Sequence, residues 1–543
     1  MTTATRAARG ADGLLRRPIL PAILLLAACS GDRPRGPLPS TSAAPAATIA
    51  APAVTTAPAA STAPLDAGVD ATADGGAAVE DTRPRLGSIA TTTWIYAGRK
   101  RQNKLGYLRP GTSVVLRDPA PWEPPRKGPW GDCKSGRWWA VEPRGYVCDD
   151  ETITRDLESA IFRALAFAGP RAGAVPFDYA FSTRAPMYGK VPIEKEQKKG
   201  EKRLRPSSEL SKIPRSTAGH EDLAEQKPVD PTGPVPSFLA DHAPAPLPPG
   251  KKPALVRKQI PYGSMLSFSH AFTAEGRTFL LAPDLTLVPA DRMRPFRHTT
   301  FHGVVIDATT PLPIGWFRKE PRPKLRSEGG AFTETGDRWA PRTFVGLTGK
   351  TMERDGVTYV ETREAGLWAR ASDVSVVSEP EELPSKVGDD EGWIDVSLSR
   401  GTLTLFVGKR ATYSTLMSPG AGGVTPKISL TVPELVSAAL TPLGTYRIVM
   451  KHKAAQMTSE DKPDPESFWI ADVPWVQYFR PPFAIHTAYW HEDFGQPKSG
   501  GCVNLSPEDA KVVFDFTEPR VPETWWGASA RRDSPGTVLV IRR

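Results

Sequence analysis

Six residues near the C-terminal end of the chain, Ser499-Gly500-Gly501-Cys502-Val503-Asn504, limit the fold more than any other stretch. Glycine tolerates the backbone angles of a tight turn, so a Gly-Gly-Cys sequence can present successive N–H groups beside a thiol. Upstream, Phe483-Ala484-Ile485 reads as the end of a buried strand, and His486 follows it. Thiol chemistry needs a thiolate, a base to make it, and N–H donors aimed at the developing oxyanion. A histidine on a strand and a cysteine on a glycine-rich loop, 16 residues apart, supply those parts as a dyad. A chain that uses them must fold the strand and the loop side by side.

These residues resemble the active-site region of the L,D-transpeptidase catalytic domain family. The family motif is an upstream His followed by Ser/Thr-His-Gly-Cys-x-Asn/Arg. Ser499, Gly501, Cys502 and Asn504 match it, His486 stands at the base position, and Gly500 replaces the second histidine. Thr441-Pro442-Leu443-Gly444-Thr445-Tyr446 matches the family's Thr-Pro-x-Gly-x-aromatic signature. Val473-Pro474-Trp475, Tyr478-Phe479, Tyr489-Trp490-His491 and Phe494-Gly495 are similar to one branch of it. Several separated motifs in the expected order are specific where a lone Gly-Cys pair is not.

The resemblance implies a mainly β, sandwich-like catalytic domain over residues 387–543. Alternation in residues 393–398 and 402–407 fits the opening hairpin of that domain. It further implies Cys502 as nucleophile and His486 as base, oriented by the main-chain carbonyl of Thr487. N–H groups around Gly501 and Cys502 would form the oxyanion site. Ser499 and Asn504 would hold the nucleophile loop against the substrate, and Tyr478 and Trp490 would line the cleft, although aromatics at such positions also serve as core. The implied substrates are peptidoglycan stem peptides, and the implied acceptor is an amine of a second stem, a protein amine or water. No metal or organic cofactor is implied. His491-Glu492 has no second histidine at helical spacing, and Gly420-Ala421-Gly422-Gly423 lacks the Gly-Lys-Ser/Thr of a phosphate loop, so it reads as a hairpin turn. Gly500 opens an alternative, a non-catalytic wall-binding lipoprotein that keeps the fold with a degraded site. His491, close in sequence, is the candidate to replace the missing imidazole.

The four cysteines divide the remaining work. Residues 1–28 carry Arg6, Arg9, Arg16 and Arg17 and then a short apolar run ending Leu26-Ala27-Ala28-Cys29. That run is too short to span a bilayer as a helix and reads as a signal peptide, and its end resembles the bacterial lipobox, with Cys29 lipidated. Ser30 rather than Asp implies the outer membrane, on the periplasmic side. Residues 29–83, dominated by Ala, Pro, Thr and Ser, cannot bury enough apolar surface to fold and read as a disordered tether. Short strand-like runs between Gly/Pro turns over residues 84–150 resemble a bacterial SH3-like β-barrel, and Cys133 and Cys148 are expected to pair within it in an exported protein. A second β unit over 151–300, opening with a single helix or an extended connector at 151–168, carries a basic insertion. Its Lys195, Lys198, Lys199, Lys202, Arg203 and Arg205 are interleaved with acids, which reads as solvated surface rather than a nucleic-acid site. A further β unit fills 301–386. Residues 1–28 hold four Arg and one Asp, so without the presumed signal the formal charge of +9 falls to +6, which suits an acidic cell wall and implies no nucleic-acid partner.

Overall fold

The computed structural model describes residues 82–124, 133–204, 220–227, 229–458 and 469–543. Cys29, the expected signal, nearly all of the Ala/Pro/Thr-rich segment and Arg205 lie outside them. Strands make up 41% of the structure and helices 10%, in keeping with short β-branched and aromatic runs punctuated by Gly, Pro and Asp.

One twelve-stranded sheet runs through the molecule. Its strands in chain order are β1 (Thr93–Tyr96), β2 (Lys104–Leu108), β3 (Trp138–Ala140), β4 (Tyr146–Cys148), β5 (Asp178–Ser182), β6 (Met265–Phe268), β7 (Met293–Pro295), β8 (Met450–Thr458), β9 (Trp469–Arg480), β10 (Phe483–Thr487), β11 (Val503–Leu505) and β12 (Gly527–Ser529). The long antiparallel hairpin β8–β9 is its axis. On one side β8 pairs with β12, and β12 pairs with β2, so the first β unit joins the C-terminal unit through backbone hydrogen bonds. At that seam Gly106 faces Ala528, and a Cβ on Gly106 would lie 2.1 Å from the Gly527 carbonyl, so only glycine permits the approach. On the other side the N-terminal half of β9 takes β6 in parallel, and the C-terminal half takes β10.

A second, six-stranded sheet closes the C-terminal unit. It contains the expected hairpin Gly392–Ser397 with Thr402–Val407, and Val538–Arg542 lies parallel to the first of these. Val304–Val305 also belongs to this sheet, pairing with Arg410–Leu416, so the chain enters the C-terminal unit's framework well before residue 387. Ile394, Val396, Leu403, Leu405, Ile485, Val503, Leu505 and Leu539 meet between the two sheets. The helix Pro507–Phe516 follows β11 and buries Ala510, Val513 and Phe514 in the same core.

Two buried charges fix that helix. Ser506 caps its start, accepting the Asp509 N–H. The Asp509 carboxylate accepts from Tyr413 Oη (2.6 Å), Thr415 Oγ1 (2.7 Å), Ser506 Oγ (2.8 Å) and the Gly303 N–H (2.7 Å). At the other end Lys451 donates to the Phe514 and Thr517 carbonyls at 2.6 and 2.7 Å and offsets the negative end of the helix dipole.

The other units are compact β bodies. In the first, Cys133 and Cys148 form a disulfide, and Leu86, Ile95, Leu108, Val114 and Val147 pack around Trp525 from the C-terminal unit. Ile153–Thr154 pairs with Arg85–Ser88, and helix is confined to Ala160–Phe167, shorter than the 151–168 stretch suggests. The segment between them is held by local side-chain bonds, with Thr154 and Asp156 bonding nearby backbone groups. A five-stranded sheet spans residues 185–289 and a seven-stranded one residues 314–377.

Candidate active site

Strand β10 is buried along its whole length, Phe-Ala-Ile-His-Thr, because it lies between β9 and β11 with core on both faces. β11 runs parallel to it, with Ile485 beside Val503, His486 beside Asn504 and Thr487 beside Leu505. Neighbouring residues in register project to the same face, and faces repeat every second residue. Asn504 and His486 therefore share a face, and Cys502 lies in the loop that leads into β11, two positions before Asn504. Tyr478 on β9 stands opposite Ala484 and faces the same way. The strand and loop inferred from sequence lie side by side.

The candidate base is held in one orientation. His486 Nδ1 lies 2.8 Å from the Thr487 carbonyl oxygen. A carbonyl only accepts, so Nδ1 carries the hydrogen and Nε2 keeps its lone pair. His486 is fully buried and Cys502 is 2% exposed. Cys502 is the cysteine of the described residues that forms no disulfide.

The nucleophile loop is held from within and from outside. Ser499 Oγ donates to the Cys502 carbonyl at 2.6 Å and accepts the Gly501 N–H at 3.1 Å. The Gly501 N–H, expected to face an oxyanion, is thus engaged inside the loop in this conformation. Gly501 itself is required by shape: its φ is +126°, and a Cβ would lie 2.6 Å from the Phe483 ring. Outside the loop, residues 418–421 run alongside it. Ser418 exchanges both backbone bonds with Asn504, and the Ala421 N–H donates to the Ser499 carbonyl. Thr441 Oγ1, from the Thr-Pro-x-Gly signature, accepts the Gly420 N–H at 2.9 Å. The Gly420–Gly423 stretch is a buttress for the nucleophile loop as well as a turn, and sequence reading missed this.

Asn504 touches His491, its amide 3.0 Å from Nε2, while the Asp493 N–H points at His491 Nδ1 from 3.2 Å. Burial lowers the His491 pKa to about 3, so this imidazole is neutral. Trp490 is buried, with its ring centroid 6.1 Å from those of His486 and His220. Tyr478 is half-buried and meets His452 edge-on.

The loop at 491–495 is gripped by units that sequence reading left unconnected to the site. Glu492 takes a two-pronged contact from Arg297 (both 2.9 Å) and a further one from Arg342. Asp493 meets Lys319 and Lys498, and Lys498 also meets Asp222 at 2.7 Å. These partners hold both acid pKa values below the usual carboxylate range despite burial. Leu223 donates its N–H to the Trp490 carbonyl at 3.3 Å. The acids at 492 and 493 were the available signal, but Arg297, which grips Glu492, stands 195 residues away in the chain.

Residues 391–541 match the family model of the L,D-transpeptidase catalytic domain. No curated protein matches the chain. Among solved structures, an L,D-transpeptidase from Xylanimonas cellulosilytica is 15% identical, with 31% of this chain and 64% of that one covered and a TM-score of 0.20. An L,D-transpeptidase from Mycobacterium smegmatis is 16% identical over 46% of this chain and 89% of that one, with a TM-score of 0.21. The catalytic domain of the Enterococcus faecium L,D-transpeptidase is 16% identical over 28% of this chain and 98% of that one, with a TM-score of 0.19.

Proposed function

We propose that the chain is a cell-envelope L,D-transpeptidase that works through a Cys502 thioester. The observation that supports this reading is the parallel pairing that sets His486 beside Asn504, two residues after Cys502, within a stretch matching the family model. His486 Nε2 takes the Cys502 proton, and the thiolate adds to the carbonyl carbon of the third residue of a stem peptide. The amide bond to the terminal D-Ala breaks, the leaving amine takes the proton from the imidazolium, and a thioester remains. An acceptor amine then gives a proton to Nε2 and adds to the thioester. The C–S bond breaks, and the thiolate recovers its proton from His486. A stem-peptide amine yields a 3→3 cross-link, a protein amine attaches that protein to the wall, and water yields carboxypeptidase activity.

Both reacting groups are buried in this conformation, so entry of a stem peptide is coupled to a shift of the chain around them. The reading extends to the N-terminus. Cys29 carries a lipid that anchors the chain to the outer membrane, supported by the Leu26-Ala27-Ala28-Cys29 run. Residues 29–83 tether it, and the disulfide-closed unit that follows is an SH3-like module. The test is muropeptide analysis after incubation with tetrapeptide-bearing fragments. The expected products are 3→3 dimers or released D-Ala, absent in Cys502→Ala and reduced at least 10²-fold in His486→Ala. A wild type that leaves the fragments intact yet pulls down with them instead supports the wall-binding lipoprotein that Gly500 suggests.

A further inference from the structure

The contact between His491 and Asn504 carries more than support for the loop. The Asp493 N–H points at His491 Nδ1, so that nitrogen accepts and the single hydrogen of the neutral ring sits on Nε2. A hydrogen there needs an acceptor. The side chain of Asn504 offers one, its amide oxygen, and the two ends of an amide are assigned by their hydrogen bonds. The end 3.0 Å from His491 Nε2 is therefore assigned as oxygen. The other end, which is buried and reached by no hydrogen-bond donor, is then the NH2. Asn504 is 1% exposed and lies beside His486 across the β10–β11 pair, two residues after Cys502. A buried amide NH2 needs an acceptor, and such groups call for an explanation in what they bind.

We propose that His491 is a positioning residue that locks Asn504 with its NH2 toward the acyl donor, where it donates to the carbonyl oxygen under attack. This rests on the acyl-transfer reading above. The bond strengthens as that oxygen gains charge, so it favours the transition state over the bound substrate. It supplies a donor where the Gly501 N–H is spent on Ser499. His491 thus serves the reaction through Asn504 without taking the place of the histidine missing at Gly500. The NH2 also selects against a substrate N–H at the same position, which would set two donors against each other.

The test uses the full chain and a carbapenem, whose β-lactam carbonyl stands in for the stem amide, with the acylation rate read by stopped-flow and intact mass. Asn504→Ala is expected to slow acylation on the order of 10²-fold, and His491→Ala to slow it comparably. The double variant is expected to be no slower than Asn504→Ala alone, because the two act as one unit. His491→Gln, whose NH2 can donate to the same oxygen, recovers most of the loss. In histidine-labelled wild type, 15N shifts are expected to report His491 as the Nε2–H tautomer from pH 5 to 8. Independent, multiplying losses in the double variant overturn the proposal, as does an Nδ1–H tautomer or a fall in thermal stability with unchanged acylation rate. A wild type that shows the expected tautomer and is not acylated overturns the acyl-transfer reading and leaves the lock standing.

Discussion

Lys451 is a fully buried lysine whose Nζ serves two carbonyls at the end of the helix that follows β11. Burial lowers its pKa from 10.5 to about 7. Between those values the unfolded chain holds a proton that the folded one releases, so this group's contribution to stability rises with pH across that window. Lys451→Met is expected to cost about 1–3 kcal/mol at pH 7 by stranding two carbonyls. It is also expected to flatten the rise in urea-unfolding free energy between pH 7 and 10. Parallel pH profiles for variant and wild type would contradict the assignment. Nothing in the sequence around Lys451 announces this role, since the alternation there suits any strand lysine. The contact of His486 Nδ1 with the Thr487 carbonyl was legible because it is local in sequence. The engagement of the Gly501 N–H by a hydroxyl two residues back was not, because sequence does not give the rotamer of Ser499.

At the scale of elements, local pattern and long-range pairing part company. The hairpin of residues 392–407 and the end of β10 follow from alternation and burial, because a strand's two faces are written in its own residues. The Gly420–Gly423 stretch was read as a turn from its glycines. Its work comes from what approaches it: Cβ atoms on Gly420 and Gly422 would each lie 2.1 Å from carbonyls of residues 438–439. The grip on Glu492 and Asp493 by Arg297, Arg342, Lys319 and Lys498 joins segments of the middle units to the loop that bears His491. Such pairs are individually worth little at the surface. As a set they fix the loop's position, and surface charges in a sequence do not name their partners.

The whole molecule is tied together by backbone. β12 of the C-terminal unit is flanked by β8 and by β2, and β6 of the middle unit extends β9. Trp525 is buried in the core of the first unit, and Tyr489 stacks on Tyr179 at 3.8 Å. The linear series of modules read from composition is thus one sheet shared by three units, and a fragment cut at residue 387 leaves sheet edges and large aromatics bare. Residues 387–543 alone are expected to aggregate or to unfold at least roughly 10 °C below residues 82–543, read by scanning calorimetry and light scattering. A fragment as stable and monomeric as the longer chain would show that the shared sheet adds nothing. For the proposed reaction this assembly has to present a reactive Cys502 thiol. Intact-mass analysis of the purified protein after incubation with a carbapenem tests it most directly, with Cys502→Ala alongside. One covalent adduct is expected on the wild type and none on the variant; a folded wild type that stays unmodified would mean that Cys502 is no nucleophile.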